Sequence, residues 1–128
     1  MLPQATANPA LPSSRFEGQS LRRLVRMLRC RESMGETDLL EVLTRTLAFM
    51  SGPTGCVYLL ADARESQGGL QQIATCLLHP NERIREAAGS ILQRCEENAG
   101  TRWAVSNLNP HLLSAFERMV RRGAAALT

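Results

Sequence analysis

The sequence contains no lysine, few aromatic residues and no long apolar run. All 15 basic residues are arginine, which pairs bidentately with carboxylates and phosphates. Aromatic residues make up 4% of the chain and hydrophobic residues 44%, so the core must be built mainly from aliphatic side chains. No stretch approaches the roughly 18 consecutive apolar residues that a membrane span needs, and we therefore expect no transmembrane helix.

The N-terminal residues do not resemble a targeting signal. Residues 1–14 lack the basic start and apolar run of a secretory signal. Three prolines in this stretch also oppose the amphipathic helix of a mitochondrial address. We expect a disordered tail over residues 1–18 and a cytoplasmic protein, with the nucleus as the alternative compartment.

Sequence motifs for metal binding and catalysis are missing as well. The four cysteines are widely spaced and form no Cys-x-x-Cys motif, which is typical of reduced thiols in the cytosol. Cys76 and His79 could form half of a metal site, but no second pair has ligand spacing. There is no Gly-x-Ser-x-Gly, no phosphate-binding glycine-rich loop and no His-x-x-x-His. We expect no metal, no cofactor and no enzymatic activity.

Apolar residues recur at three- and four-residue steps, which predicts an all-α fold without strands. Ser20 is the expected N-cap of the first helix, and Pro80 is expected at the first position of a later one. Predicted helices start at Leu21 and cover Glu36–Met50, Cys56–Arg64, a stripe from Leu70 to Leu78, Asn81–Asn98 and Pro110–Arg122. Predicted breaks lie at Arg31–Gly35, Ser51–Gly55, Gly68–Gly69, Gly100 and the segment Thr101–Asn107 that contains the only tryptophan.

The apolar pattern repeats along the chain. Leu21, Leu24, Val25 and Leu28 match Leu70, Ile73, Ala74 and Leu77 at a shift of 49 residues. Leu39, Val42, Leu43, Leu47 and Met50 match Ile84, Ala87, Ala88, Leu92 and Cys95 at a shift of 45. Leu70 and Leu77 recur a third time as Leu113 and Val120 at a shift of 43. Such periods indicate a helical solenoid, whose units stack to bury their apolar faces.

The most complete unit, residues 56–98, resembles an armadillo repeat. Gly68-Gly69-Leu70 with Ile73 and Leu77-Leu78 is similar to the second helix of that repeat, and Pro80-Asn81, Ile84, Glu86-Ala87-Ala88-Gly89, Ile91 and Leu92 are similar to its third helix. Residues 19–50 and 101–122 resemble the repeat less completely. The resemblance implies a short right-handed α-solenoid of about two to two and a half armadillo-like units over residues 19–122, followed by a flexible C-terminus at 123–128. HEAT repeats and a plain helical bundle are the alternatives.

Armadillo repeats typically bind extended peptides or partner proteins along the groove formed by their third helices. Some members grip the peptide with a tryptophan and an asparagine, but Gly89 and Gln93 lie near those positions here, so the nuclear-import type of cleft is not supported. The resemblance implies a mildly acidic groove for a basic or polar peptide. Its candidate residues are Glu82, Glu86, Gln93 and Glu97, with Thr37, Glu41, Arg45 and Ala48 on the earlier helix. An ordinary solvated face is the alternative.

Positive charge is concentrated in the first helix. Residues 1–35 contain six arginines and two glutamates, for a net charge of +4, whereas the rest of the chain has a net charge of −1. Arg22, Arg26 and Arg29 lie opposite the buried stripe, with Arg23 beside them and Arg31 following. This face suits an acidic protein segment, a phosphate or a nucleic acid. Alternatively, the charges are solvated and meet Glu32, Glu36 or acids of a neighbouring unit. Phe16 is the only aromatic residue close to the helix in sequence, which gives little support to base stacking.

The sequence therefore predicts a non-catalytic protein–protein interaction scaffold or adaptor. The alternative is binding of nucleic acid or of an acidic surface through the arginine-rich first helix. We also expect the chain to be a fragment or short form of a larger repeat protein, because its first and last units are incomplete. Open solenoid ends expose apolar surface, so self-association or poor solubility is expected.

Overall fold

The computed structural model describes residues 20–59 and 69–127, and over these ranges the chain is helical without a β-strand. The predicted all-α class is confirmed. The described helices are α1 Leu21–Met27, α2 Glu36–Ala48, α3 Pro53–Leu59, α4 Gly69–Thr75, α5 Glu82–Glu97, α6 Arg102–Ser106 and α7 Pro110–Leu127. The 3₁₀ turns Leu28–Ser33, Phe49–Ser51 and Cys76–Leu78 extend α1, α2 and α4. No helix in these two ranges is long and apolar enough to cross a membrane.

Helix α1 begins with the predicted serine cap. The Ser20 hydroxyl oxygen accepts a hydrogen bond from the Arg23 amide at 3.2 Å, which satisfies one of the free N–H groups at the helix start. The predicted apolar stripe of α1 is buried, and it consists of Leu21, Leu24, Val25 and Leu28. Burial of this stripe leaves the arginines of α1 on the solvent side.

Helices α2 and α5 begin in different ways. The Asn81 side-chain oxygen caps α5 by accepting from the amides of Arg83 at 2.8 Å and Ile84 at 3.4 Å. The N-cap of α2 is Gly35, which has no side chain to accept such a bond. The predicted position of Pro80 at the start of the helix is wrong, because Asn81 occupies the cap and places Pro80 before it.

Side chains beyond α5 satisfy the carbonyl groups at its C-terminal end. The Thr101 hydroxyl donates to the Cys95 carbonyl at 2.7 Å, and the Arg102 guanidinium donates to the Glu96 carbonyl at 3.0 Å. The amides of Thr101 and Arg102 both donate to the Asn98 carbonyl. These contacts stop α5 at Glu97 and start α6, a short helix that the sequence did not predict.

Equivalent helices of the two predicted units lie side by side. At the start of α5, the side-chain amide of Asn81 donates a hydrogen bond to the Glu36 carboxylate at the start of α2, at 3.0 Å. Towards the end of α5, Arg94 donates to the Met50 carbonyl in the turn after α2, at 3.3 Å. Contacts between both pairs of ends require α2 and α5 to run parallel. The residues buried between these helices and their neighbours form one core that extends from α1 to α7.

Helices α1 and α4 are neighbours as well. Arg31, in the turn after α1, donates a hydrogen bond to Gln72 of α4. A Cβ atom added at Gly69 would lie 2.6 Å from Val25, so glycine permits this close approach. Both α1 and α4 are thus followed by a 3₁₀ turn and a long helix, whereas the repeat and its armadillo-like solenoid arrangement stay predictions.

Helix α7 packs across α4, the turn after α4, and α5. Its buried residues are Leu112 and Phe116, whereas Leu113 and Val120, which the third recurrence aligned with buried positions, are only half-buried. Neighbouring positions of a helix point about 100° apart, so the alignment chose the wrong phase of α7. The helix also continues to Leu127, past its predicted end at Arg122.

Several boundaries differ from the sequence predictions for local reasons. Leu78, predicted to be buried, is 52% exposed. The predicted break Ser51–Gly55 is shorter, because α3 already begins at Pro53. The predicted loop Arg31–Gly35 is largely occupied by the 3₁₀ turn that ends at Ser33. The predicted tail over residues 1–18, the last part of the short helix at 60–64 and Gly68 lie outside the described residues.

Candidate functional site

Four arginines of α1 and its following turn form the arginine face, which we define as Arg22, Arg23, Arg26 and Arg29. All four side chains are exposed. None of them forms an ion pair with a carboxylate in residues 20–59 or 69–127. Glu36, one expected counter-charge, instead accepts the hydrogen bond from Asn81. The arginine face therefore presents its charge to solvent and not to a described neighbouring unit.

Arg31 does not belong to this face, although it follows it in sequence. Its guanidinium donates to the Leu28 carbonyl at 3.3 Å and to the Gln72 side chain. Because these bonds connect the turn after α1 with α4, Arg31 joins the two units and is not available to a ligand.

The predicted acidic groove consists of exposed positions on α5 and the earlier helix α2. Glu82, Glu86, Gln93 and Glu97 are exposed, as are Thr37 and Ala48. Glu41 and Arg45 are half-buried and form an ion pair at 3.0 Å, so they neutralise each other. These positions lie on α2 and α5, and none of them forms an ion pair with the arginine face.

Helix α7 divides the predicted groove on α5. Gly89 lies on the same side of α5 as Glu86 and Gln93, because residues three and four apart share a helix face. Gly89 is nevertheless buried, and a Cβ atom added there would overlap the sulfur of Met119 in α7. A peptide lying along α5 would have to pass α7 at this point, so no uninterrupted groove follows the helix.

A cleft of about 440 Å³ lies where α1 begins, beside α3 and the turn after α2. It is lined by Ser20, Leu21, Arg22, Phe49, Thr54, Gly55 and Tyr58. Phe49 and Tyr58, which line it together, are 43% and 47% exposed, so the cleft presents apolar surface to solvent. We call this site the aromatic cleft.

The aromatic cleft was not predicted from the sequence. Phe16 was the only aromatic residue that sequence proximity associated with the arginine face, yet folding places Phe49 and Tyr58 beside Arg22. Val57, the neighbour of Tyr58 on α3, is 53% exposed. The available signal was the phase of α3, since a short helix that buries Cys56 and Leu59 must turn the two residues between them outward.

The Cys76–His79 pair lies at a second, smaller cleft of about 220 Å³. Burial raises the pKa of the Cys76 thiol to about 11, although the nearby Arg31 guanidinium partly opposes the rise. The ring nitrogen Nδ1 of His79 accepts a hydrogen bond from the Asn81 amide at 3.0 Å. No group of three metal-ligating side chains occurs in the part of the chain that the structure describes. Metal ions bind thiolates and free imidazole nitrogens, so the protonated Cys76 thiol and the hydrogen-bonded Nδ1 of His79 do not favour a metal site.

The chain was compared with known proteins at three levels. No protein-family profile, no curated protein and no solved structure matches it. The armadillo resemblance therefore depends on the residues and spacings of the sequence alone.

Proposed function

We propose that this chain is a non-catalytic protein-interaction module built from two stacked armadillo-like units and a partial third. The main support is the parallel neighbourhood of α2 and α5, joined near their starts by Asn81 and Glu36 and near their ends by Arg94 and Met50. Solenoids place equivalent helices of successive units side by side in this way. Such stacks expose broad side-chain surfaces, and these surfaces hold partner proteins.

The exposed surfaces differ in their suitability for a partner. The α5 side is mildly charged and is interrupted by α7 at Gly89. The arginine face and the aromatic cleft instead combine exposed apolar area with arginines that have no ion pair among the described residues, a combination that favours protein binding. We therefore place the main partner surface on the α1 side of the molecule.

Cross-linking in cells tests the proposed function. Common amine-reactive reagents are unsuitable because the chain has no lysine. A photoreactive phenylalanine analogue should replace Arg29 in one variant and Gln93 in another, so that each surface has one probe. We expect mass spectrometry to identify a protein joined to the Arg29 position more often than to the Gln93 position. If neither position captures a protein above the level of an unirradiated sample, the proposed function is wrong.

The second candidate is binding of nucleic acid through the arginine face, and the observation in its favour is the absence of described acidic partners for these four arginines. Four neutralised phosphates of single-stranded RNA would give a slope of about −3 in a plot of log affinity against log salt. Replacing Arg22, Arg26 and Arg29 by Gln should abolish binding. The triple variant of Arg83, Arg118 and Arg121, which are also exposed, is the control of equal net charge. Absence of RNA or DNA binding by the wild type at low salt ends this candidate.

A further inference from the structure

We infer that the aromatic cleft receives one bulky apolar side chain of an acidic peptide segment, whose carboxylates contact the arginine face. This inference depends on the proposed function, because it names the chemical class of the partner and the place where it binds. The observations behind it are the size of the cleft, its apolar walls and the charge along its rim.

The size of the cleft suits a side chain of a peptide. Its volume of about 440 Å³ falls at the lower end of the range of about 300–1,000 Å³ that is usual for ligand sites. Gly55 contributes to the lining, and a Cβ atom added there would overlap the Phe49 carbonyl oxygen and lie 2.9 Å from its carbon. Only glycine allows α3 and the turn after α2 to approach this closely, so the shape of the cleft is built into the backbone.

The walls of the cleft favour an apolar occupant. Phe49 and Tyr58 together leave large ring surfaces in water, and a leucine, phenylalanine or tryptophan side chain placed between them would cover that area. The Ser20 hydroxyl oxygen accepts a hydrogen bond from the Arg23 amide, which orients this group towards the start of α1. Aromatic residues are enriched among the residues that contribute most to binding at protein interfaces.

The rim of the cleft favours acidic residues next to that anchor. Arg22 lines the cleft, Arg26 follows it on the same side of α1, and Arg29 is exposed in the 3₁₀ turn after the helix. At about 1.5 Å per residue, Arg22 and Arg26 lie about 6 Å apart along the helix axis, which corresponds to roughly two residues of extended peptide. No acidic residue lines the cleft within the described ranges, so acidic residues of a partner would be attracted to this rim.

A peptide fits these observations better than a nucleic acid does. Nucleic-acid affinity grows with the number of neutralised phosphates, and the arginine face supplies only four arginines, one of which lines the cleft. Reading of a base would require several hydrogen-bonding groups directed into the pocket, and its walls are formed mainly by aromatic and aliphatic groups. RNA binding is therefore an outcome that the experiment must be able to detect.

Selection from a random peptide library tests the inference with the full chain. Twelve-residue peptides displayed on phage would be selected against the purified protein, and an enriched peptide would be synthesised with a fluorescent label. We expect the enriched sequences to contain at least three acidic residues beside one leucine, phenylalanine or tryptophan. Enrichment of basic or uncharged peptides, or of none, contradicts the inference.

Variants then locate the binding site by fluorescence anisotropy. Tyr58→Ala removes a wall of the cleft and should weaken binding roughly tenfold. Thr54→Trp adds a ring at the exposed edge of the cleft and should weaken binding by at least as much. The matched controls are Trp103→Ala, an exposed aromatic residue outside the cleft, and Thr37→Trp, an exposed position on α2. Both controls should bind like the wild type, and circular dichroism shows whether each variant is folded.

The charge requirement is tested separately. Replacing Arg22, Arg26 and Arg29 by Gln should weaken the peptide at least about fivefold, while the control triple of Arg83, Arg118 and Arg121 should not. A labelled 20-nucleotide oligouridine provides the competing ligand. If oligouridine binds more tightly than the peptide and Tyr58→Ala leaves the peptide affinity unchanged, the inference is wrong.

These outcomes separate the inference from the proposed function. If the selected peptides bind independently of Tyr58 and Thr54, the chain still binds peptides but elsewhere. If cross-linking in cells captures a protein although no acidic peptide is enriched, the proposed function survives and the inference fails. Failure of the cross-linking experiment removes the proposed function itself.

Discussion

Two threonines supply the buried polar side chains in the described part of the core, and their hydroxyl groups have different roles. The Thr46 hydroxyl donates to the Val42 carbonyl at 2.7 Å, within the regular hydrogen-bond ladder of α2. The Thr101 hydroxyl donates to the Cys95 carbonyl at 2.7 Å, in the last turn of α5, where backbone donors run out. The first bond duplicates a partner that the carbonyl already has in the helix, whereas the second satisfies a carbonyl that the helix leaves free.

Replacing Thr101 by valine should therefore lower the free energy of unfolding by about 1–2 kcal/mol, because the buried Cys95 carbonyl loses its donor. Thr46→Val, which changes the same atoms at an equally buried position, should change it by less than about 0.5 kcal/mol. Urea unfolding followed by circular dichroism measures both values. Equal losses in the two variants would mean that the hydroxyl of Thr101 has no particular role in ending α5.

The four thiols also differ by their surroundings. Cys30 is exposed, whereas Cys56, Cys76 and Cys95 are buried. Burial, and then the adjoining Cys56 thiol, raise the pKa of Cys95 well above its usual range, and burial raises the pKa of Cys76 to about 11. Thiolate and not thiol is the reactive form, so these two residues should be unreactive near neutral pH.

We expect Ellman's reagent at pH 8 to modify one thiol per chain rapidly and the other three only after unfolding. Cys30→Ser should remove the rapid phase and leave the total after denaturation at three. Rapid modification of a second thiol in the folded Cys30→Ser variant would show that part of the core opens readily.

At the scale of the element, the two long helices offer a natural comparison of caps. Asn81 caps α5 through its side-chain oxygen and also reaches Glu36, whereas the equivalent place before α2 is Gly35. Asn81→Ala should cost about 1–2 kcal/mol of stability, since it removes the cap and the contact between the units. Gly35→Ser should gain a few tenths of a kcal/mol, because its backbone is extended and nothing lies within 4 Å of an added Cβ.

Thermal or urea unfolding of the two variants and of Glu36→Gln checks this comparison. Glu36→Gln keeps an acceptor oxygen for the Asn81 amide and should stay close to the wild type. A loss in Gly35→Ser as large as that in Asn81→Ala would mean that the start of α2 is held by contacts other than its cap.

Helical periodicity predicted most of the buried stripes, including positions in the 3₁₀ turns. Leu28, Met50 and Leu77 lie in these turns and are buried as predicted. Leu78 follows Leu77 in the same turn and is exposed, although it was predicted to be buried. Neighbouring side chains of a helix or a 3₁₀ turn point in different directions, so the last residue of an apolar stripe can lie outside the core.

The two parts of the candidate site also differ in how far the sequence predicts them. The exposed arginines of α1 follow from one stripe of one helix, and the sequence predicted them correctly. The aromatic cleft requires the turn after α2 and the outer side of α3 to meet the start of α1, and residues 49 and 58 lie 27 and 36 positions from Arg22 in the sequence. No local sequence pattern predicts that these three segments contact one another, because the contact depends on how whole helices pack.

At the scale of the whole molecule, the exposed apolar side chains favour self-association. Among the described residues, Phe49, Val57, Tyr58, Leu78 and Trp103 are the large hydrophobic side chains that stay exposed. They belong to the turns after α2 and α4, to α3 and to α6, so they are not confined to one unit. When a surface of one copy contacts a different surface of the next, the copies associate head to tail and form rings or open filaments.

We therefore expect the sedimentation coefficient of the purified chain to rise with protein concentration over the micromolar range. The melting temperature should rise as well, because association stabilises the folded state by mass action. Val57→Gln and Leu78→Gln, at exposed positions on α3 and in the turn after α4, should each lower the association without lowering the melting temperature of the dilute protein. A chain that sediments as a monomer at every concentration and melts in one sharp, concentration-independent transition would show that these exposed side chains do not bring copies together. In that case, the apolar area at the aromatic cleft would be free for a different partner.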